Sequence, residues 1–202
     1  DLTTGDGNTA IGYQAALNVT TASNTVAIGN AAIGLGILTG TDNTAIGYQA
    51  GYDLTSGAYN HLIGYKAGTN ATTADDTIAI GRSAIGLGVL TGDHNIAFGN
   101  GAGYDLTSGT YNILQGLQAG NNLTTGTGNV FSGYQAGEFA TTPSYAIAIG
   151  YNAIGSGVLT GTDNTAIGRG AGQDLTSGTY NNFMGYQAGL NATTASNTVA
   201  IG

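Results

Sequence analysis

The chain has 202 residues, of which 37 are Gly and one is Pro, with no Cys and no Trp; 7% are charged and the formal charge is −8. Three scattered cations, Lys66, Arg82 and Arg169, exclude the clustered basic surface that nucleic acid requires. Zero Cys excludes disulfides and thiolate chemistry, and no apolar run or basic amphipathic helix is suited to inserting in a bilayer. Leu, Ile, Val and Phe together number 41, near the limit below which a chain buries too little apolar surface to fold.

In chain order, Ala10-Ile11-Gly12 opens a repeat whose glycine recurs at Gly29, Gly47, Gly64, Gly81, Gly99, Gly116, Gly133, Gly150, Gly168, Gly185 and Gly202, at intervals of 17 or 18 residues. Ala stands three residues after each glycine that has a following coil, from Ala15 to Ala188, and Ser or Thr stands eight before each, from Thr4 to Thr194. Ten before is always aliphatic or Ala, as in Leu2, Val19, Ile37, Leu54, Val89, Leu123 and Ala192. Disorder does not keep such a register, and these aliphatic residues are expected inside the coils.

A slower rhythm overlies this one. The stretch Gly34-Leu35-Gly36-Ile37-Leu38-Thr39-Gly40 marks an 18-residue coil and returns from Gly86 and, with Ser156, from Gly155. After each comes a coil carrying Asp-Leu-Thr-Ser-Gly, at Asp53, Asp105 and Asp174. A coil with Asn at the Asp position follows. The three-coil unit is 52 residues, interrupted once by an extra coil at about 129–145. Residues 191–202 repeat residues 18–29 with Ala192 in place of Val19.

A 17-residue unit is too short for a helix pair, and its β-branched residues with Gly and Asn punctuation predict short strands and tight turns. In Asn43-Thr44-Ala45-Ile46-Gly47, Thr44 and Ile46 share one strand face and Ala45 and Gly47 the other. Val26 and Ile28, Ile78 and Ile80, and Ile147 and Ile149 are equivalent pairs. Neither face is polar, so both need cover: the coil interior on one side and a second chain on the other. The expected fold is all-β, a parallel β-solenoid or β-roll of 17–18-residue coils forming one continuous domain over 1–202. Twelve coils would make a rod on the order of 55–60 Å long.

Asn43-Thr44-Ala45-Ile46-Gly47-Tyr48-Gln49-Ala50-Gly51, followed by Leu-Thr-Ser-Gly, resembles repeats of phage tail-fibre and microbial surface proteins. Its Ala-Ile-Gly core is similar to the head repeats of trimeric autotransporter adhesins. The resemblance implies a left-handed roll, a parallel homotrimer and an extracellular location, on a virion tail fibre or a microbial cell surface. The longer coil and its Tyr-Gln-Ala extension depart from the adhesin heads.

Candidate sites are few. Gly34-Leu35-Gly36 lacks the Lys and the helix of a nucleotide loop. His61, His94 and Glu138 fall in different coils and registers, giving no triad or metal cluster. The spacing of Asp53, Asp105 and Asp174 reads as turns rather than a calcium roll. No cofactor, metal or catalytic residue is expected. Tyr13, Tyr48, Tyr65, Tyr134, Tyr151 and Tyr186 directly follow repeat glycines and form a candidate packing ladder or sugar-stacking surface. Asn18, Asn70, Asn122 and Asn191 head glycosylation sequons in one register. Gln115 and Ser132 stand where most coils have Ile, predicting a hydrated break in an apolar stripe.

The functional expectation is a non-enzymatic shaft of an extracellular fibre. Direct glycan adhesion through the Tyr, Asn and Thr surface is the alternative, with an ice-binding Thr array a weaker third. Neither terminus shows a cap, so the chain is expected to be an excerpt of a longer, continuing rod.

Overall fold

The computed structural model describes residues 4–202; Leu2 lies outside them. Twelve three-residue strands follow in order: β1 (Thr9–Ile11), β2 (Val26–Ile28), β3 (Thr44–Ile46), β4 (His61–Ile63), β5 (Ile78–Ile80), β6 (Ile96–Phe98), β7 (Ile113–Gln115), β8 (Val130–Ser132), β9 (Ile147–Ile149), β10 (Thr165–Ile167), β11 (Asn182–Met184) and β12 (Val199–Ile201). Each pairs in parallel with its sequence neighbours, in one sheet of order β1 to β12. The fold is the β-solenoid expected from the repeat. At about 4.8 Å per strand the sheet extends roughly 53 Å.

Outside the strands the coils remain hydrogen-bonded to one another. In a single coil Gly47 N–H reaches Ile28 O at 2.8 Å, Gln49 N–H reaches Asn30 O at 3.0 Å and Gly51 N–H reaches Ala67 O at 3.0 Å. The corners between these bonds need positive φ, found at Gln49 (52°), Gly51 (57°) and Tyr59 (59°). The repeat glycine is the strictest corner. Gly116 has φ 132°, and a Cβ there would collide with the carbonyl of Gly133 in the next coil. Glycine is thus required at this place both by φ and by the close approach of two backbones.

The small strand face points inward. Ala27, Ala45, Leu62, Ala79, Ala97, Leu114, Phe131, Ala148, Ala166 and Phe183 are all fully buried, together with nearly every Ala three residues after the glycine. The aliphatic residue ten before the glycine is buried in the 17-residue coils, as at Val19, Leu54, Leu106, Leu123 and Leu175. In the 18-residue coils the expectation fails by one position. Leu38 is 0% exposed and Ile37 is 62% exposed, and Leu38, not Ile37, bridges to Val19. Leu90 and Leu159 are likewise inside, with Val89 and Val158 outside. Compared with the coil of Val19, the chain has two more residues between Gly29 and Leu38 and one fewer between Leu38 and Gly47, so distance from the glycine ceases to mark the inward position.

The 52-residue rhythm has a packing cause. Four residues after the repeat glycine, Ile33, Ile85 and Ile154 are buried beside strands that contribute only Ala27, Ala79 and Ala148. In the two coils after each, this place is Gly, and the next large strand residue lies over it. A Cβ at Gly51 would be 2.9 Å from Leu62 and one at Gly68 2.6 Å from it; Phe183 stands in the same way over Gly172 and Gly189, at 2.8 and 2.6 Å. Ile against Ala alternates with Leu or Phe against Gly. Large residues stand where neighbouring coils have Ala or Gly, as close packing demands.

Candidate functional site

Three surface files and one buried file run along the rod. The buried file lies four residues before the glycine, where Asn43, Asn60, Asn95, Asn112, Asn129, Asn164 and Asn181 are enclosed. Each amide bonds its counterpart one coil on: Asn60 donates from both its backbone N–H and its Nδ2 to Asn43 Oδ1, at 3.0 Å each. The second amide hydrogen crosses the coil to a turn carbonyl, Asn60 Nδ2 to Ala74 O at 2.7 Å. Thr25, Thr77 and Ala146 end successive stacks by donating their N–H to the last Asn. The first Asn of the following stack then also satisfies its own turn, as Asn95 Nδ2 does to Gly92 O at 3.0 Å. These side chains are scaffold. Their signal in the sequence is Asn four residues before eight of the twelve glycines.

The second file is the outward strand face, the pairs Val26 and Ile28, Ile78 and Ile80, Ile96 and Phe98, and Ile147 and Ile149 among them. These side chains are half-buried or exposed. Gln115 and Ser132 adjoin each other in this face, paired between β7 and β8, with Phe98 and Ile149 on either side in the same column. Gln115 is exposed and Ser132 half-buried, so the polar break opens outward. His61 also lies on this face.

The third file holds the Ser and Thr residues. Those nine before the glycine in 17-residue coils turn their hydroxyls to the backbone: Thr55 Oγ1 donates to Thr72 O at 2.8 Å and Thr107 Oγ1 to Thr124 O at 3.0 Å. The next residue, Thr21, Ser56, Thr73, Ser108 or Thr125, is exposed. One hydroxyl per coil therefore faces solvent and its neighbour ties coils together.

The fourth file directly follows the glycine and gathers the chemistry of the surface. Tyr48 stacks on Tyr65 with ring centroids 5.2 Å apart, and Tyr134 on Tyr151 at 5.0 Å. Arg82 lies over Tyr65 at 5.8 Å, and Arg169 sits between Tyr151 and Tyr186 at 5.7 and 5.5 Å. Lys66, one position further on, is 5.7 Å from the Tyr65 ring. All three cations of the chain, isolated in sequence, thus meet this aromatic file. Tyr13 stands apart at the N-terminal end, with Asn30 rather than an aromatic residue next in the file. Two cavities open here, about 480 Å³ around Gly101 and about 290 Å³ around Gly170.

The other candidates do not converge. His94 stacks on Tyr111 at 4.8 Å and lies 3.6 Å from Asp76; Glu138 is in another coil, its carboxyl pushed up by burial and partly drawn back by a hydrogen bond from Gln135. Among the described residues no three His, Asp or Glu side chains are grouped to hold a metal. Burial also raises the carboxyls of Asp53 and Asp105. Of the sequons, Asn18 and Asn70 use their Nδ2 internally, on Leu35 O at 3.0 Å and Leu87 O at 2.8 Å. Asn122 is half-buried and Asn191 exposed. No helix is long and apolar enough to cross a membrane among the described residues. The chain matches no family model, no curated protein and no solved structure.

Proposed function

We propose that the chain is a shaft segment of an extracellular fibre, a phage tail fibre or microbial surface filament, assembled as a parallel homotrimer and without catalytic activity. One observation carries this reading: the outward face of a twelve-strand sheet is lined by Ile, Val, Phe and Met along most of its length, and these side chains are half-buried or exposed among the described residues of the chain. A contiguous apolar surface of this kind marks an association site, and copies of a straight rod can cover one another along their whole length. The threefold symmetry comes from the resemblance to trimeric fibre repeats. Sedimentation equilibrium tests it. The intact chain is expected at three times its 19.9 kDa mass, and Ile80→Lys with Ile147→Lys as a monomer with unchanged β-circular dichroism. A wild-type chain that stays monomeric at micromolar concentration would overturn it.

The aromatic file with its cations supports a second reading, direct adhesion to glycans. Binding of the isolated chain to a glycan array favours it; silence from an assembled rod leaves the shaft alone.

A further inference from the structure

The second position after the repeat glycine is a further file with φ between 52° and 66°: Gln14, Gln49, Lys66, Ser83, Gln118, Gln135, Asn152 and Gln187 carry half-buried or exposed side chains there. Only Gly101 and Gly170 lack a side chain in this file apart from Ala31's methyl. Both fall in the coil after an 18-residue coil, where the first three-coil unit has Gln49. The two omissions are among the residues that line the two cavities; both glycines are buried, and Asn121 Nδ2 donates to Gly101 O at 3.0 Å. A Cβ on Gly101 would lie 3.2 Å from Asn121 Nδ2, and one on Gly170 3.2 Å from Gln173 Oε1.

The walls are alike in chemistry. Around Gly101 stand Arg82, Asn100, Tyr104, Gln118 and Asn121; around Gly170 stand Tyr151, Asn152, Arg169, Gln173 and Gln187. Each notch has one guanidinium, one phenol and at least three neutral amides. Arg82 lies over the ring of Tyr65, beside its notch, and Arg169 over those of Tyr151 and Tyr186; among the described residues no carboxylate is within 4.0 Å of either. Their N–H forks are the natural partners of a planar carboxylate. Amides both donate and accept, as ring hydroxyls require, and an aromatic ring presents an apolar face with a polar edge. A lone cation suits one carboxylate per ring better than a polyphosphate, which calls for clustered charge.

We propose that the Gly101 and Gly170 notches are two copies of a binding site for an acidic saccharide, a uronic or sialic acid, with Arg82 and Arg169 holding the carboxylate. The proposal deepens the adhesion reading and is independent of the shaft. Four coils separate the notches, roughly 19 Å at about 4.8 Å per coil, so one oligosaccharide or two branches of a glycan can engage both with gain in avidity.

Titration calorimetry on the intact chain tests this with trigalacturonate and sialyllactose, using maltotriose and lactose as neutral controls. At least one acidic sugar should bind at least about tenfold more tightly than its control, and Arg82→Gln with Arg169→Gln should lose that margin. Gly101→Gln with Gly170→Gln restores the residue other coils carry at this φ, so the fold should persist while the notches fill and binding disappears. Acidic sugars binding no better than neutral ones would overturn the proposal. So would undiminished binding in either double variant; if neutral glycans still bind the filled variant, adhesion stands and the notch assignment falls.

Discussion

Asn112 accepts both the backbone and the side-chain N–H of Asn129 on its Oδ1, at 3.0 and 2.9 Å, and donates its own amide to Gly126 O at 2.8 Å. Removing this one amide strands a donor and an acceptor in a closed interior. Asn112→Ala should cost about 2–4 kcal/mol, one to two unsatisfied buried groups. The direct readout is hydrogen exchange at the Asn129 amide, which should lose most of its protection while distant coils keep theirs.

Phe131 and Gly137 are matched in volume. A Cβ on Gly137 would come within 2.5 Å of the Phe131 ring, so Gly137→Ala should be destabilising by about 1–3 kcal/mol through overpacking. Phe131→Ala alone opens a cavity, at about 3–5 kcal/mol. Together they should cost less than their sum by about 1 kcal/mol or more. Additive losses in chemical denaturation would refute the pairing of large strand residue with Gly.

Two glycines close together should behave in opposite ways. Gly116→Ala drives a methyl into the Gly133 carbonyl and should cost roughly 3 kcal/mol or more, read as new protease sensitivity. Gly101→Gln places a side chain where Gln118 and Gln135 already sit at φ 57° and 54°, and its stability should change by no more than about 1 kcal/mol.

Burial raises the carboxyl pKa of Asp53 and of Asp105 above the ordinary value of 3.8. A folded pKa above the unfolded one means that stability present below the ordinary value is lost as pH rises through the raised one. Asp53→Asn with Asp105→Asn should therefore raise the melting temperature modestly at about pH 7, with the difference closing by about pH 2. Thermal melts at the two pH values check it.

The architecture was legible in the sequence because one residue, the glycine after the strand, is sterically forced from Gly12 to Gly185, wherever another coil stacks on it. The strand alternation and the two-sided apolar character of Thr44-Ala45-Ile46 followed from it; that the Ala face is the inward one came only with the burial of Ala27, Ala45 and their equivalents. The expectation failed at Ile37 because a fixed count from that glycine cannot see two residues gained before Leu38 and one lost after it. Only the pairing of Leu38 with Val19 shows which aliphatic residue is inside. The aromatic file was visible, but Arg82 and Arg169 looked isolated because their neighbours lie a full coil away. The notches at Gly101 and Gly170 were hidden among 37 glycines, since what distinguishes them is a missing side chain.

The amide stack does not run unbroken: it stops at Thr25, Thr77 and Ala146, whereas the backbone ladder passes through, as in Ile78 N–H to Asn95 O at 2.8 Å. Pulled lengthwise, such a rod has joints weaker than the blocks between them. It should fail as a chain of fuses, one block at a time, a 52-residue block releasing roughly 170 Å of slack and the longer block between Thr77 and Ala146 roughly 230 Å, at about 3.3 Å per residue. Under a sudden load such a rod would give up one block while the rest stayed folded.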